Sequence, residues 1–144
     1  MTVENMFSDD KLSQEELTRY HRQIIIPAIG EEGQKKIKQT KIFLAGAGGL
    51  GSISAYYLAA AGIGRLVIVD SDTVDIGNLN RQIIHRMDDI GVSKVDSAYL
   101  KLKALNPDCI VMPIRAEMIR ENIIDLAQGC SIIVDATDNL EARR

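Results

Sequence analysis

The sequence predicts an α/β fold: a Rossmann-like, doubly wound and mainly parallel sheet preceded by short N-terminal helices. Three observations carry the prediction. From Lys41 onward, apolar runs of strand length alternate with helical patterns, and such alternation implies parallel strands joined by crossover helices. The first apolar run leads into "GAGGLG", residues 46–51, four glycines in six positions where a strand hands over to a helix. The 144 residues, 46% hydrophobic and 26% charged, suit one globular unit with a sizeable core.

Each element has its own local reason. Ser13 and Glu16 form an S-x-x-E capping box that opens a helix through "EELTRYHRQ". Pro27 and Gly30 interrupt it, and "EEGQKKIKQ" reads as a second short helix. "KIFLAG" is a buried strand, "LGSISAYYLAAAGI" a helix and "RLVIVD" a second buried strand. The irregular "SDTVDIGNLNRQIIHRMDDIG" follows, then a helix, "SKVDSAYLKLKALN", stopped by Pro107. "CIVMPI" is a third strand, "RENIIDLAQG" a helix ending at Gly129, and "SIIVDAT" a fourth strand. The closing "DNLEARR" reads as the start of a helix capped by Asp138 or Asn139. Residues 1–40 are thus expected to be an N-terminal helical segment. Residues 41–144 are expected to be a Rossmann-like nucleotide-binding domain cut short on its C-terminal side.

Charge and composition exclude several classes. A formal net charge of −3 supplies no basic field for nucleic acid. The N-terminal residues lack the pattern of a secretory signal, and no run approaches the roughly 18 apolar residues of a membrane span. Cys109 and Cys130 are far apart and adjoin apolar runs, so they read as small core residues, and a reducing cytoplasm is the expected setting.

The glycine turn carries the first chemical signal. Gly46, Gly48 and Gly51 satisfy G-x-G-x-x-G between a strand and a helix. That context lets phosphates approach the backbone and the N-terminal amides of the helix. Asp70, 19 residues past Gly51 at the end of the second strand, is placed to accept bonds from ribose hydroxyls. A merely tight strand-to-helix turn is the plainer alternative. In the usual doubly wound order the fourth strand lies beside the first, so the loop carrying Asp135 and Asp138 faces the glycine turn. Carboxylates beside phosphates call for a cation, and Mg²⁺ held by one or two carboxylates plus phosphate oxygens suits the pattern. Asp138 acting only as a helix N-cap is the competing reading. Arg81 and Lys94 are positioned to flank the phosphates, although spacing alone fits solvated surface charges equally. His21 and His85 read as structural, and Tyr56 and Tyr57 as packing residues.

Taken together, "RYHRQIIIPAIGEEGQKKI", "GAGGLGS", "VDSDTVDIGNLNRQ", "IGVSKVDSA", "LNPD" and "VDATDN" resemble the ubiquitin-activating-enzyme-like superfamily. Within it they are most similar to the ThiF/MoeB/HesA adenylyltransferases of thiamine and molybdopterin biosynthesis. The resemblance runs from about Arg19 to Asn139. It implies that Gly46, Gly48, Gly49 and Gly51 carry ATP phosphates and Asp70 the ribose. Asn78, Arg81 and Lys94 would contact the phosphates with support from Gln82, and Asp138 would bind Mg²⁺. Arg22 would reach into the site of a neighbouring subunit, because family members are symmetric homodimers. The implied reaction adenylates the C-terminal Gly-Gly carboxylate of a small ubiquitin-like sulfur-carrier protein, releasing pyrophosphate. A terminal carboxylate, with a pKa of roughly 3.5, is already ionised at neutral pH, so no general base is called for. Family members commonly continue with C-x-x-C pairs for structural Zn²⁺ and a loop that guides the carrier, so any zinc is expected beyond these residues, and the resemblance leaves open whether the 144-residue chain is active without that part. The competing readings are an NAD-dependent oxidoreductase, which leaves Arg81, Lys94 and Asp138 without work, and a non-catalytic nucleotide-binding subunit.

Overall fold

A computed structural model describes residues 11–138. The helix expected from Asn139 onward lies outside the described residues. Four strands, β1 (Lys41–Ala45), β2 (Arg65–Asp70), β3 (Ile110–Arg115) and β4 (Ile132–Asp135), form one sheet in the order β3-β2-β1-β4. All three pairings are parallel, with Leu44 opposite both Ile68 of β2 and Val134 of β4. β1 and β2 are buried on both faces, which is why their sequences are continuous apolar runs rather than alternating ones.

One face of β1 and β2 presents Ile42, Leu44, Leu66 and Ile68 to α4 (Gly49–Ala61) and α5 (Lys94–Leu105). The other face presents Phe43, Ala45, Val67 and Val69 to residues 114–130, including α6 (Ile123–Leu126). Crossovers on both faces make the sheet doubly wound, as the alternation predicts. α4 approaches closely because its inward positions are Gly51, Ser52, Ala55 and Ala59. The same geometry corrects one expectation: Tyr56 packs against the core, whereas Tyr57 is 75% exposed. At about 100° per residue, position 57 lies opposite the Ala55–Ala59 face.

Three further helices precede β1: α1 (Gln14–Arg19), α2 (His21–Ile24) and α3 (Gly30–Gln39). The capping box forms as expected, with Ser13 Oγ accepting from Glu16 N–H and the Glu16 carboxylate accepting from Ser13 N–H. The single helix expected across "EELTRYHRQ" instead breaks at Tyr20, whose φ/ψ of −98°/10° leave the helical region. Tyr20 is buried and its hydroxyl accepts from Asn106 Nδ2, while Gln23 and Gln34 donate to the Ala61 carbonyl. The N-terminal helices are therefore fastened to the C-terminal ends of α4 and α5. The helix expected over residues 120–129 shortens to one turn. The Asn122 side chain donates to Glu117 C=O and accepts from Ile119 N–H, folding the preceding residues into a turn that competes with a helix.

Both cysteines are apolar neighbours as expected. Cys109 is buried in the main core, and burial pushes its thiol pKa up to about 11; Cys130 packs on the opposite face. Among the described residues no helix is long and apolar enough to cross a membrane.

Candidate functional site

The C-terminal ends of the four parallel strands open into a cleft of about 760 Å³, where doubly wound sheets bind ligands. The strand order builds it. Because β4 pairs with β1, its exit loop lies against the glycine turn: a Cβ added at Gly46 would sit 3.0 Å from the Ala136 carbonyl oxygen, and Gly46 itself has φ +96°. At Gly51 an added Cβ would stand 2.1 Å from the Gly46 carbonyl oxygen. These two glycines are requirements of the fold, one for its left-handed backbone and one for close helix–turn packing.

Gly48 and Gly49 differ. A Cβ at Gly48 would meet Gln82 Nε2 at 3.5 Å, and one at Gly49 would meet Arg81 Cγ at 3.7 Å, both ordinary contact distances. Both glycines line the cleft, and no side chain caps the N-terminus of α4 at Gly48. The first amides of α4 therefore open on the cleft with the positive end of a 13-residue helix behind them, the arrangement that takes a phosphate.

Around that turn the cleft gathers Asp70, Asp72, Arg81, Gln82, Lys94, Glu117 and Asp138. Asp70 accepts from Ala47 N–H at 2.8 Å and from Asp72 N–H at 2.8 Å, tying the end of β2 to the glycine turn while facing the cleft. Lys94, the first residue of α5, has a buried side chain and donates to Asp72 Oδ2 at 2.9 Å. Arg81 is exposed and leans on the loop through Gly77 C=O and Asn80 Oδ1. Gln82 is 5% exposed, and its Oε1 is buried without a hydrogen-bond partner, a polar atom that a ligand hydroxyl or amino group would satisfy.

The remaining sites fall elsewhere. Asn78 closes the 3₁₀ turn Ile76–Asn78, where its carbonyl accepts from Arg81 and Gln82 N–H; it positions those two residues rather than lining the cleft. Arg22 is exposed on α2 and lines no part of this chain's own cleft. Of the two carboxylates in the β4 loop, Asp138 lines the cleft, whereas Asp135 Oδ1 accepts from Thr137 N–H and Oγ and shapes the loop. His21 is exposed, and His85 is buried with both ring nitrogens hydrogen-bonded. Sequence reasoning missed Asp72, Glu117 and Met118. Asp72 had a signal in "DSD", two residues beyond Asp70; Glu117 and Met118 had none, since only the strand order brings the exit of β3 to the cleft.

The donor set bears on metal chemistry. Among the described residues no three His, Cys, Asp or Glu side chains cluster as a metal site, so an all-protein cage is absent there. A lone cleft-facing carboxylate from the β4 loop instead fits Mg²⁺, which takes one or two carboxylates and completes its shell with phosphate and water.

Known proteins are similar to this chain in sequence and in fold. The SAMP-activating enzyme E1 of Haloferax volcanii is 42% identical over 128 residues, covering 89% of this chain and 47% of its own length. The adenylyltransferase and sulfurtransferase Uba4 of Aspergillus terreus is 43% identical over 132 residues, 92% of this chain and 27% of its own. Among solved structures, the E. coli tRNA N6-threonylcarbamoyladenosine dehydratase TcdA in complex with ATP superposes with a TM-score of 0.86 at 28% identity, over 92% of this chain and 54% of that one. The chain thus spans from about a quarter to about half the length of these relatives. The profile of the ThiF family matches residues 20–144, so the glycine turn, the Arg81–Lys94 rim and the Asp138 loop all lie in a chain that belongs to the ThiF family.

Proposed function

We propose that the chain is the nucleotide-binding part of an adenylyltransferase that joins AMP to the C-terminal Gly carboxylate of a small ubiquitin-like sulfur carrier, of the thiamine or molybdopterin type. The observation that carries the reading is the uncapped N-terminus of α4, facing a cleft that also holds Arg81, Lys94 and Asp138. The likeness to an ATP-bound structure and to a named adenylyltransferase supports the nucleotide as ATP.

The chemistry suits these residue types. The carrier carboxylate is an anion that must attack a polyanion, so the barrier is electrostatic and positional rather than one of proton transfer. The α4 amides hold phosphate oxygens, with Gly48 and Gly49 leaving the backbone bare. Asp70 accepts from the ribose with lone pairs not used by Ala47 and Asp72. Arg81 and Lys94 bring positive charge to the phosphates, Lys94 exchanging its Asp72 partner for phosphate oxygen, and Asn78 and Gln82 hold the rim in place. Asp138 would hold Mg²⁺, which supplies charge neutralisation across the phosphates. Arg22 is exposed and lines no part of its own cleft, and it would serve the neighbouring subunit of a homodimer.

Titration of the chain with ATP and Mg²⁺, followed by carrier-dependent exchange of labelled pyrophosphate into ATP by the full-length parent protein, tests the reading. ATP binding with exchange that requires a carrier ending in Gly-Gly is the expected result. Preference for NADH over ATP, or exchange indifferent to the carrier, would overturn it.

A further inference from the structure

The peptide groups on either side of Ala47 are gripped by side chains far away in sequence. Ala47 N–H donates to Asp70 Oδ2 at 2.8 Å, and the Ala47 carbonyl lies 2.9 Å from His85 Nε2. Ala47 is fully buried, and His85 is 5% exposed. The residues flanking Ala47 are Gly46 and Gly48, the type with the freest backbone. A turn built this way has little intrinsic preference for one conformation, so an external hold on the peptide between the glycines decides where the following amides point.

The proton arrangement at His85 follows from its partners. A carbonyl oxygen only accepts, so Nε2 carries the proton. His85 Nδ1 lies 2.8 Å from Ser97 Oγ and, in the neutral ring, accepts the Ser97 hydroxyl proton. Ser97 Oγ in turn accepts from Lys101 Nζ at 3.0 Å, and Lys101 also donates to Asp89, whose carboxylate accepts from Arg86 N–H at 2.7 Å. A relay of donors therefore runs Lys101 → Ser97 → His85 → Ala47 C=O, from α5 to the glycine turn. Burial, opposed by the Ala47 carbonyl and reinforced by Lys94, holds the ring's pKa below the usual 6.5, with Asp89 and Lys101 pulling in opposite directions.

We propose that His85 is a positioning residue for the phosphate-binding turn, fixing the Ala47 carbonyl so that the α4 amides are set for the nucleotide before it arrives. The identity of that nucleotide rests on the function proposed above; the hold on the turn does not. Pre-ordering lowers the entropy lost on binding, so its removal is felt as weaker affinity.

The test compares wild type, His85→Gln and His85→Leu as the whole chain. Three readouts are taken: ATP–Mg²⁺ affinity by calorimetry, amide hydrogen exchange at residues 47–50 without nucleotide, and the His85 ring nitrogen shifts of the wild type. Glutamine carries an amide N–H able to reach the Ala47 carbonyl; leucine fills the space without a donor. Expected are an affinity loss of about tenfold or more in His85→Leu, faster exchange in the turn, and recovery of both in His85→Gln. Equal affinity and exchange in His85→Leu and wild type, or equal losses in both variants, would overturn the inference. Should His85→Leu fail to fold, the wild-type ring decides: protonation at Nε2 alone between pH 7 and 8 upholds the relay, and the Nδ1–H tautomer defeats it. If wild type does not bind ATP, the proposed function falls while the exchange data still judge the turn.

Discussion

Gly49→Ala and Gly51→Ala together separate what the fold demands from what a ligand demands. At Gly51 the added Cβ would lie 2.1 Å from the Gly46 carbonyl oxygen and 2.8 Å from its carbon. Relief requires more than 1 Å of movement between α4 and the turn, and no rotamer change supplies it because both partners are backbone. Overpacking of this kind costs about 3 kcal/mol, the upper end of the usual range, while alanine returns about 1 kcal/mol of helix propensity. The net loss of about 2 kcal/mol corresponds to a Tm lower by about 6 °C in a domain of this size. At Gly49 the nearest atoms, Arg81 Cγ and the Arg81 carbonyl oxygen, are both 3.7 Å away, so alanine fits the fold and Tm should hold or rise slightly. Its methyl, however, would project where phosphate oxygens must approach the backbone, and ATP affinity should fall about tenfold or more. Differential scanning calorimetry and ATP titration read the two quantities separately. Wild-type ATP affinity in Gly49→Ala would refute the cradle, and an unchanged Tm in Gly51→Ala would refute the steric argument.

Asp138→Asn in the full-length parent should abolish pyrophosphate exchange at millimolar Mg²⁺, since an amide is a poor ligand for a hard cation; persistent exchange removes Asp138 from the metal role. Arg22→Ala should lower activity and be rescued when mixed with Asp138→Asn, because a mixed dimer contains one site with both residues; absence of complementation argues against a cross-subunit arginine. Burial raises the Glu16 pKa, but the Ser13 N–H and Lys38 outweigh it and leave it below 4.5. The unfolded chain therefore binds the proton more readily, so the stability this carboxylate contributes is present above pH 4.5 and lost as pH falls through the lowered value. Thermal denaturation between pH 6 and 3 should show a smaller acid-induced drop in Glu16→Gln than in wild type, and parallel curves would contradict the linkage.

Local patterns in the chain specified much of this protein. The Ser13–Glu16 capping box, the buried strands β1 and β2, the glycine turn and the strand-to-helix order were all readable because each depends on residues within a few positions of one another. Periodicity and capping are short-range physics; together with the usual doubly wound strand order they put Asp70 and the Asp138 loop on one rim of a parallel sheet. By spacing alone Arg81 and Lys94 fitted solvated surface charges equally well, and the fold brings them and Gln82 to the cleft. Other features depended on register and direction between distant segments. Tyr57 faces outward because Ala55 and Ala59 took the inner face of α4, and the helix at Tyr20 breaks because its ring is anchored beside Asn106. Asp135 and Asp138 are equivalent as letters three apart, yet one folds its own loop and the other faces the cleft. The Lys94–Asp72 pair and the His85 hold on Ala47 join residues 22 and 38 positions apart. No local pattern encodes such pairings, because they arise only when the packed sheet brings the loops at its C-terminal edge within hydrogen-bonding distance.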